Sequence, residues 1–206
     1  MGNYKKWLIK RTITVIKKDI VTDGLTAMGM KAQDAGKYAD IMAQTMSSSN
    51  TTIELMGETM KYAGSVAGGL GITMEDLSLA IGTMANAGIK GSMAGTALRG
   101  GLTRLIAPTD KAQALMKKYG IEVQKTADGN VDLKATMVHL QEKLGGLSAD
   151  TQNMIAKVIF GQTAMNGWLT IINADADAFN DLALARFNIA GNPAIISVVF
   201  QPAKAM

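Results

Sequence analysis

The chain has no cysteine, so disulfide cross-links and thiolate metal sites are excluded. It has a single histidine, His139, and no second imidazole or thiolate exists to complete a zinc set. His139 sits beside an apolar helical stripe with Glu142 three residues on, and reads as a partly buried structural histidine. Aromatic residues make up only 5% of the sequence, against 15 methionines and 22 glycines. Such a composition suits helices that pack closely and adapt to their neighbours. No nucleophile is paired with a base, and no phosphate loop is complete, so neither catalysis, a cofactor nor a metal is expected. Carboxylates such as Glu75 and Asp76 fall in a first helical turn, where the helix dipole favours them. No long heptad or hendecad stretch is present, so these residues do not themselves read as a ruler.

Charge is unevenly placed. The formal net charge is +4, but Lys5, Lys6, Lys10, Arg11, Lys17 and Lys18 leave only 15 basic residues against all 17 acidic ones in the rest of the chain. The body is therefore near neutral, and nucleic acid is not an expected partner except through the basic arm. That arm, residues 1–20, mixes cations with Leu8, Ile9, Ile13, Val15 and Ile16. It lacks the uninterrupted apolar run and small-residue cleavage site of a signal peptide. It reads as a solvated terminus, or as a segment that lies on an anionic membrane or nucleic acid. Hydrophobic residues at 48% and charged residues at 18% call for a folded body over residues 21–185.

The most specific stretch of that body is Met74 to Thr109, two amphipathic helices joined by a glycine elbow. Met74, Leu77, Ile81 and Met84 share one helical face, as do Ala94, Leu98, Leu102 and Leu105. Thr73 suits the first N-cap, with Asp76 three residues on. Gly88 suits a left-handed closing residue, and Pro108 stops the second helix. Gly91, Gly95 and Arg99 follow at i+4 steps, so a smooth groove that admits a second backbone is succeeded by a guanidinium. Arg99 is expected to fold back on the carbonyls ending the first helix near Asn86 to Gly88. Arg99 and Arg104 argue against reading this small-x-x-x-small pattern as a membrane span.

Elsewhere the periodicity predicts a short helical turn over 23–29, a helix over 31–46, and another opened by a Thr51–Glu54 capping box and stopped at Gly68, Gly69 and Gly71. Those glycines follow a helix instead of a strand, and no lysine–serine or lysine–threonine pair comes after them, so they read as a turn and not a phosphate cradle. Thr109 caps a short helix closed by Gly120. Residues 121–132 leave room for a small β-hairpin around Asp128 and Gly129. Asp128, Asn130 and Asp132 alternate like a calcium loop, but Leu133 and His139 stand where that loop needs glycine and glutamate. Further helices follow over 134–144 and from Ser148 to Phe160 and Gly161. Val158 to Ala174 is uncharged but short and interrupted by polar residues, which favours a buried or partner-facing helix over a span. Residues 186–206 lose the helical pattern and read as a short strand or an exposed tail. The fold class is mainly α, a bundle of short amphipathic helices.

The run ANAGIKG, then S-x-AGTALR, then L-x-RL-x-APT, followed in order by YGIEV, ADGN and the IFG of Ile159 to Gly161, resembles the core region of phage tail tape measure proteins over roughly residues 21–182. The resemblance implies a structural segment of a bacteriophage or prophage tail. It implies action in tail assembly and tail-length determination through protein–protein contacts, outside the family's length-determining repeats. It also implies self-association, contacts with tail-tube, tail-tip and tail-assembly chaperone proteins, and a place in the virion tail after assembly in the host cytoplasm. The chain would then be a truncated or fused piece of a longer tape measure. The alternative is a membrane-active segment that inserts during genome delivery, using the basic arm and residues 158–174.

Overall fold

A computed structural model describes residues 18–185; the expectations for residues 1–17 and 186–206 lie outside them. Ten α-helices follow one another among the described residues: α1 (Lys18–Ala27), α2 (Ala35–Ser48), α3 (Ile53–Gly69), α4 (Met74–Asn86), α5 (Gly91–Ile106), α6 (Asp110–Tyr119), α7 (Leu133–Leu144), α8 (Ala149–Ile159), α9 (Met165–Ile172) and α10 (Ala176–Ala185), with a 3-10 turn at Ala32–Asp34. The mainly helical expectation holds.

Side chains set most of these limits. Thr73, Thr109 and Ser148 each accept a hydrogen bond from the backbone N–H three residues on, at 3.1, 3.3 and 3.4 Å, satisfying donors that a helix start leaves open. Gly120 closes α6 in the left-handed conformation, φ +64°. The cap of α3 is Thr52, whose hydroxyl receives the Leu55 N–H at 3.3 Å, one residue later than the Thr51 expected. The helix α1 is also longer than the turn expected at 23–29, because Val21 and Leu25, one turn apart, supply a buried face.

The spine of the bundle is α3. The most extensive helix pairing is α3 with α5, and α1 lies along another side of α3. On the α1 side, Cβ atoms added at Gly57 and Gly64 would come within 2.8 Å of Ile20 and Ala27, and one at Gly68 within 2.8 Å of the Ala27 carbonyl. α2 packs on α4, α10 covers both, and α9 sits among α4, α5, α7 and α8. The contact of α2 with α4 runs from the Lys37–Glu75 ion pair at 2.6 Å to the Asn50 N–H donating to Asn86 Oδ1 at 2.8 Å. Both helices therefore run in the same direction. The core is continuous from Val21 to Ala183 and is filled by methionine, leucine, isoleucine and alanine, with Trp168, Tyr38, Phe160 and Phe179 as its large buried rings.

The hairpin expected over 121–132 does not form. The described residues carry no strand, only an isolated antiparallel bridge between Lys125 and Val131. The Asp132 N–H does reach the Gln124 carbonyl at 3.0 Å, but the return bond is missing, because the Asp132 carbonyl is taken by the Thr136 N–H at 2.9 Å. Asp132 is the N-cap of α7, its carboxylate accepting from Ala135 N–H at 2.8 Å. Gln124 N–H turns to the Thr136 hydroxyl at 3.0 Å, and Val131 N–H to the Leu70 carbonyl at 3.0 Å. The helix start thus outcompetes the second rung of the ladder.

The uncharged run from Val158 to Ala174 is likewise divided. It comprises the end of α8, a turn, the eight residues of α9 and the start of the next connection. Eight residues give a rise of about 12 Å, against a bilayer core of about 30 Å. Among the described residues no helix is long and apolar enough to cross a membrane.

Tyr38 is fully buried on α2, so close to α1 that a Cβ at Gly24 would collide with its hydroxyl. That hydroxyl has no hydrogen-bond partner among the described residues. Burial pushes the phenol above its usual range, and the Asp23 carboxylate adds to the shift. The folded state therefore holds this proton more tightly than the unfolded chain. Its contribution is complete below about pH 10 and is lost as pH rises beyond the unfolded value. Tyr38→Phe is expected to leave unfolding free energy unchanged or raise it by up to about 1 kcal/mol, and to flatten the alkaline fall. Urea titrations at pH 8 and pH 10.5 measure both effects, and a clear destabilisation at pH 8 would contradict this account.

Candidate contact site at the glycine elbow

The elbow joins α4 to α5 through Ala87 to Lys90. Gly88, with φ +85°, donates to the Ala85 carbonyl at 3.0 Å while Ile89 N–H donates to Met84 at 3.0 Å. This six-to-one and five-to-two pair satisfies the end of α4 and needs a left-handed residue. Gly91, with φ +56°, opens α5 against α3, and its carbonyl accepts from the Thr59 hydroxyl at 3.0 Å. At Gly95 an added Cβ would stand 2.7 Å from Tyr62 Cβ and 2.8 Å from the Thr59 carbonyl oxygen. The groove anticipated at Gly91 and Gly95 is therefore occupied by α3, whose Leu55 and Glu58 side chains lie at Gly91 and whose backbone at Thr59 lies at Gly95.

Arg99 does not brace the end of α4 as expected. It is exposed on α5, and its guanidinium lies 5.9 Å from the centroid of the Tyr62 ring of α3. The reason is its position one turn beyond Gly95, on the α3 side of the helix, where a half-exposed aromatic face attracts a cation. Pro108 follows the end of α5, between the C-cap Ala107 and the N-cap Thr109 of α6.

Phe160 and Gly161 meet the same helix from the opposite side. The buried Phe160 ring stacks on Trp168 at 4.7 Å with 6° between planes. The Trp168 indole N–H donates to the Ala97 carbonyl of α5 at 3.0 Å. Gly161, with φ +81°, lies beneath the Arg104 guanidinium, and a Cβ there would stand 2.7 Å from its central carbon. No sequence motif marks Trp168; what singles it out is structural, a buried indole that needs an acceptor set over Gly101, where a Cβ would overlap the indole nitrogen.

Asp128 and Gly129 are not part of this assembly. They form the exposed tip of the 121–132 loop, where Gly129, with φ +82°, donates to the Thr126 carbonyl at 2.9 Å. The neighbouring Asn130 side chain packs against Gly71, and Asp132 serves as a cap. Among the described residues no group of three or more histidine, cysteine or acidic side chains could hold a metal ion. His139 is half-buried, with Nε2 2.9 Å from the Gly120 carbonyl at the end of α6.

What the elbow leaves outward is a partly apolar surface. Between α5 and the start of α9 lies a shallow cleft of about 340 Å³, lined by Ile89, Ser92, Met93, Thr96, Thr163 and Asn166 among others. Met93 at its rim is 64% exposed, and Ile106 at the far end of α5 is 43% exposed. No titratable group lines the cleft. It offers apolar, hydroxyl and amide contacts.

Residues 18–161 match the family model described as phage-related minor tail protein. A "Tape measure protein" of Pneumococcus phage Dp-1 is 31% identical over 173 residues, covering 84% of this chain and 15% of the relative. A "Probable tape measure protein" of Escherichia phage P2 is 29% identical over 171 residues, covering 78% of this chain and 21% of the relative. The chain thus spans no more than about a fifth of the length of these relatives. No solved structure matches it.

Proposed function

Because the chain belongs to the phage-related minor tail protein family and is similar to tape measure proteins of phage tails, we propose that it is a contact-making, non-catalytic segment in tail assembly and length determination. The observation that carries this reading is the family match itself, which runs through α1 to α8 and includes the elbow. The exposed methionine and cleft on α5 support a role in binding. Its partners on this reading are tail-tube, tail-tip and tail-assembly chaperone proteins together with further copies of itself. It meets the chaperones in the host cytoplasm and ends in the virion tail. Residues 1–20, 21–185 and 186–206 are taken as arm, contact body and tail.

Co-expression of the 206-residue chain with the tube, tip and chaperone proteins of its own phage is expected to give a complex that survives gel filtration. A chain that elutes apart from all three would overturn the reading. The competing reading, membrane insertion during genome delivery, is separated by flotation with anionic vesicles. Little binding is expected once residues 1–18 are deleted, since the uncharged run is folded into α8 and α9. A nucleic-acid contact of the basic arm would weaken steeply with added salt.

A further inference from the structure

The fold withdraws many of its methionines from solvent. Met42, Met56, Met60, Met74, Met84 and Met137 are between 0 and 2% exposed, and a thioether so placed is shielded from a dissolved oxidant. Among the described residues two methionines are exposed, Met93 at 64% and Met154 at 45%. Their surroundings differ. Met154 lies on α8 and does not line the cleft, whereas Met93 stands in the first turn of α5 on the rim of the cleft, with Ser92, Thr96, Thr163 and Asn166 around it. The inward packing of that turn is carried by its buried neighbours Ala94 and Gly95. The Met93 side chain can therefore change its chemistry without disturbing the core.

We propose that Met93 is a reversible oxidation site that governs the cleft, with a peroxide as its reactant. The thioether sulfur attacks one oxygen of hydrogen peroxide, the S–O bond forming as the O–O bond breaks. Sulfur is oxidised by two electrons, and the departing hydroxide takes the proton of the transferred oxygen and leaves as water. Methionine sulfoxide reductases reverse the change. The product is a polar, hydrogen-bond-accepting side chain where a flexible apolar one stood. An apolar group of a partner seated on this rim must then strip water from the sulfoxide oxygen, which disfavours binding. The effect on binding rests on the contact-making role proposed above; the reaction at Met93 does not.

The test exposes the whole chain to limiting hydrogen peroxide and then digests it with trypsin. Residues 91–99, 144–157 and 135–143 are released as peptides with one methionine each, Met93, Met154 and Met137. The mass gain of one oxygen atom therefore reports each site separately. Met93 is expected to react at least about tenfold faster than Met137, with Met154 between them, and the rates should converge in chains unfolded with urea before exposure. Oxidised wild type should bind its tube, tip or chaperone partner at least about fivefold more weakly than untreated protein, and a sulfoxide reductase should restore it. Met93→Leu should bind as untreated wild type does, before and after peroxide. A folded chain in which Met137 reacts as fast as Met93 would overturn the oxidation site. Oxidised wild type that binds undiminished, or a Met93→Leu variant that loses binding on exposure, would overturn its control of the cleft. An untreated chain that binds none of the three proteins overturns the contact-making role and that control with it, while the peptide rates still decide the reaction.

Discussion

A Trp168→Ala variant is expected to lose about 3–5 kcal/mol of unfolding free energy, a large fraction of the 5–15 kcal/mol typical of a domain. Trp168 is fully buried and fixes three things together: the Phe160 ring stacked on it, the Ala97 carbonyl that accepts its N–H, and the space above Gly101. Truncation removes the ring, opens a cavity between α5 and α9, and leaves Phe160 without its stacking partner. Trp168→Phe keeps an apolar ring but loses the hydrogen bond, and should fall between wild type and alanine, at about 1–3 kcal/mol. Urea titrations followed by circular dichroism measure the series. An alanine variant with an unchanged midpoint would show that α9 does not hold α5.

The second large effect contrasts two glycines on one helix. Gly95→Ala should cost about 1–3 kcal/mol despite alanine's better helix propensity, because its Cβ would press on the α3 backbone at the Thr59 carbonyl, which cannot step aside. Gly100→Ala, five residues on, places its Cβ 3.4 Å from the Ala164 Cβ, an ordinary contact. It is expected to be neutral or to gain up to about 1 kcal/mol through propensity. Thermal melts of the two single variants decide the matter. A lowered melting temperature for Gly95→Ala beside an unchanged or slightly raised one for Gly100→Ala is the expected pattern, and a stabilising Gly95→Ala would mean that α3 and α5 are not seated on each other there.

Local chemistry made much of this fold legible in advance. Thr73, Gly88, Pro108, Gly120 and Ser148 mark their helix ends because a cap needs only the residue and its near neighbours. The Gly91 and Gly95 groove was legible as a close-packing face, although its occupant was not, since no local pattern says which helix will lie there. Arg99 went astray for the same reason: Tyr62, the ring it lies over, is 37 residues away in sequence and close only through the α3–α5 pairing. At 121–132 the turn signal competed with a helix cap at Asp132, and the cap, which satisfies several donors at once, prevailed. The run from 158 to 174 looked like one element because its uncharged composition masks the break after Phe160, where Gly161 takes a positive φ.

The bond from Trp168 to Ala97 has a consequence for how the chain is born. Its ends are 71 residues apart, and a ribosome adding roughly 5–20 residues per second needs roughly 4–14 s to cover that distance. During that interval the side of α5 destined for α9 emerges with nothing to cover it. Nascent chains of this protein therefore pass through a vulnerable window on every round of translation, and anything that shields the flank of α5 for those few seconds raises the yield of correctly folded product.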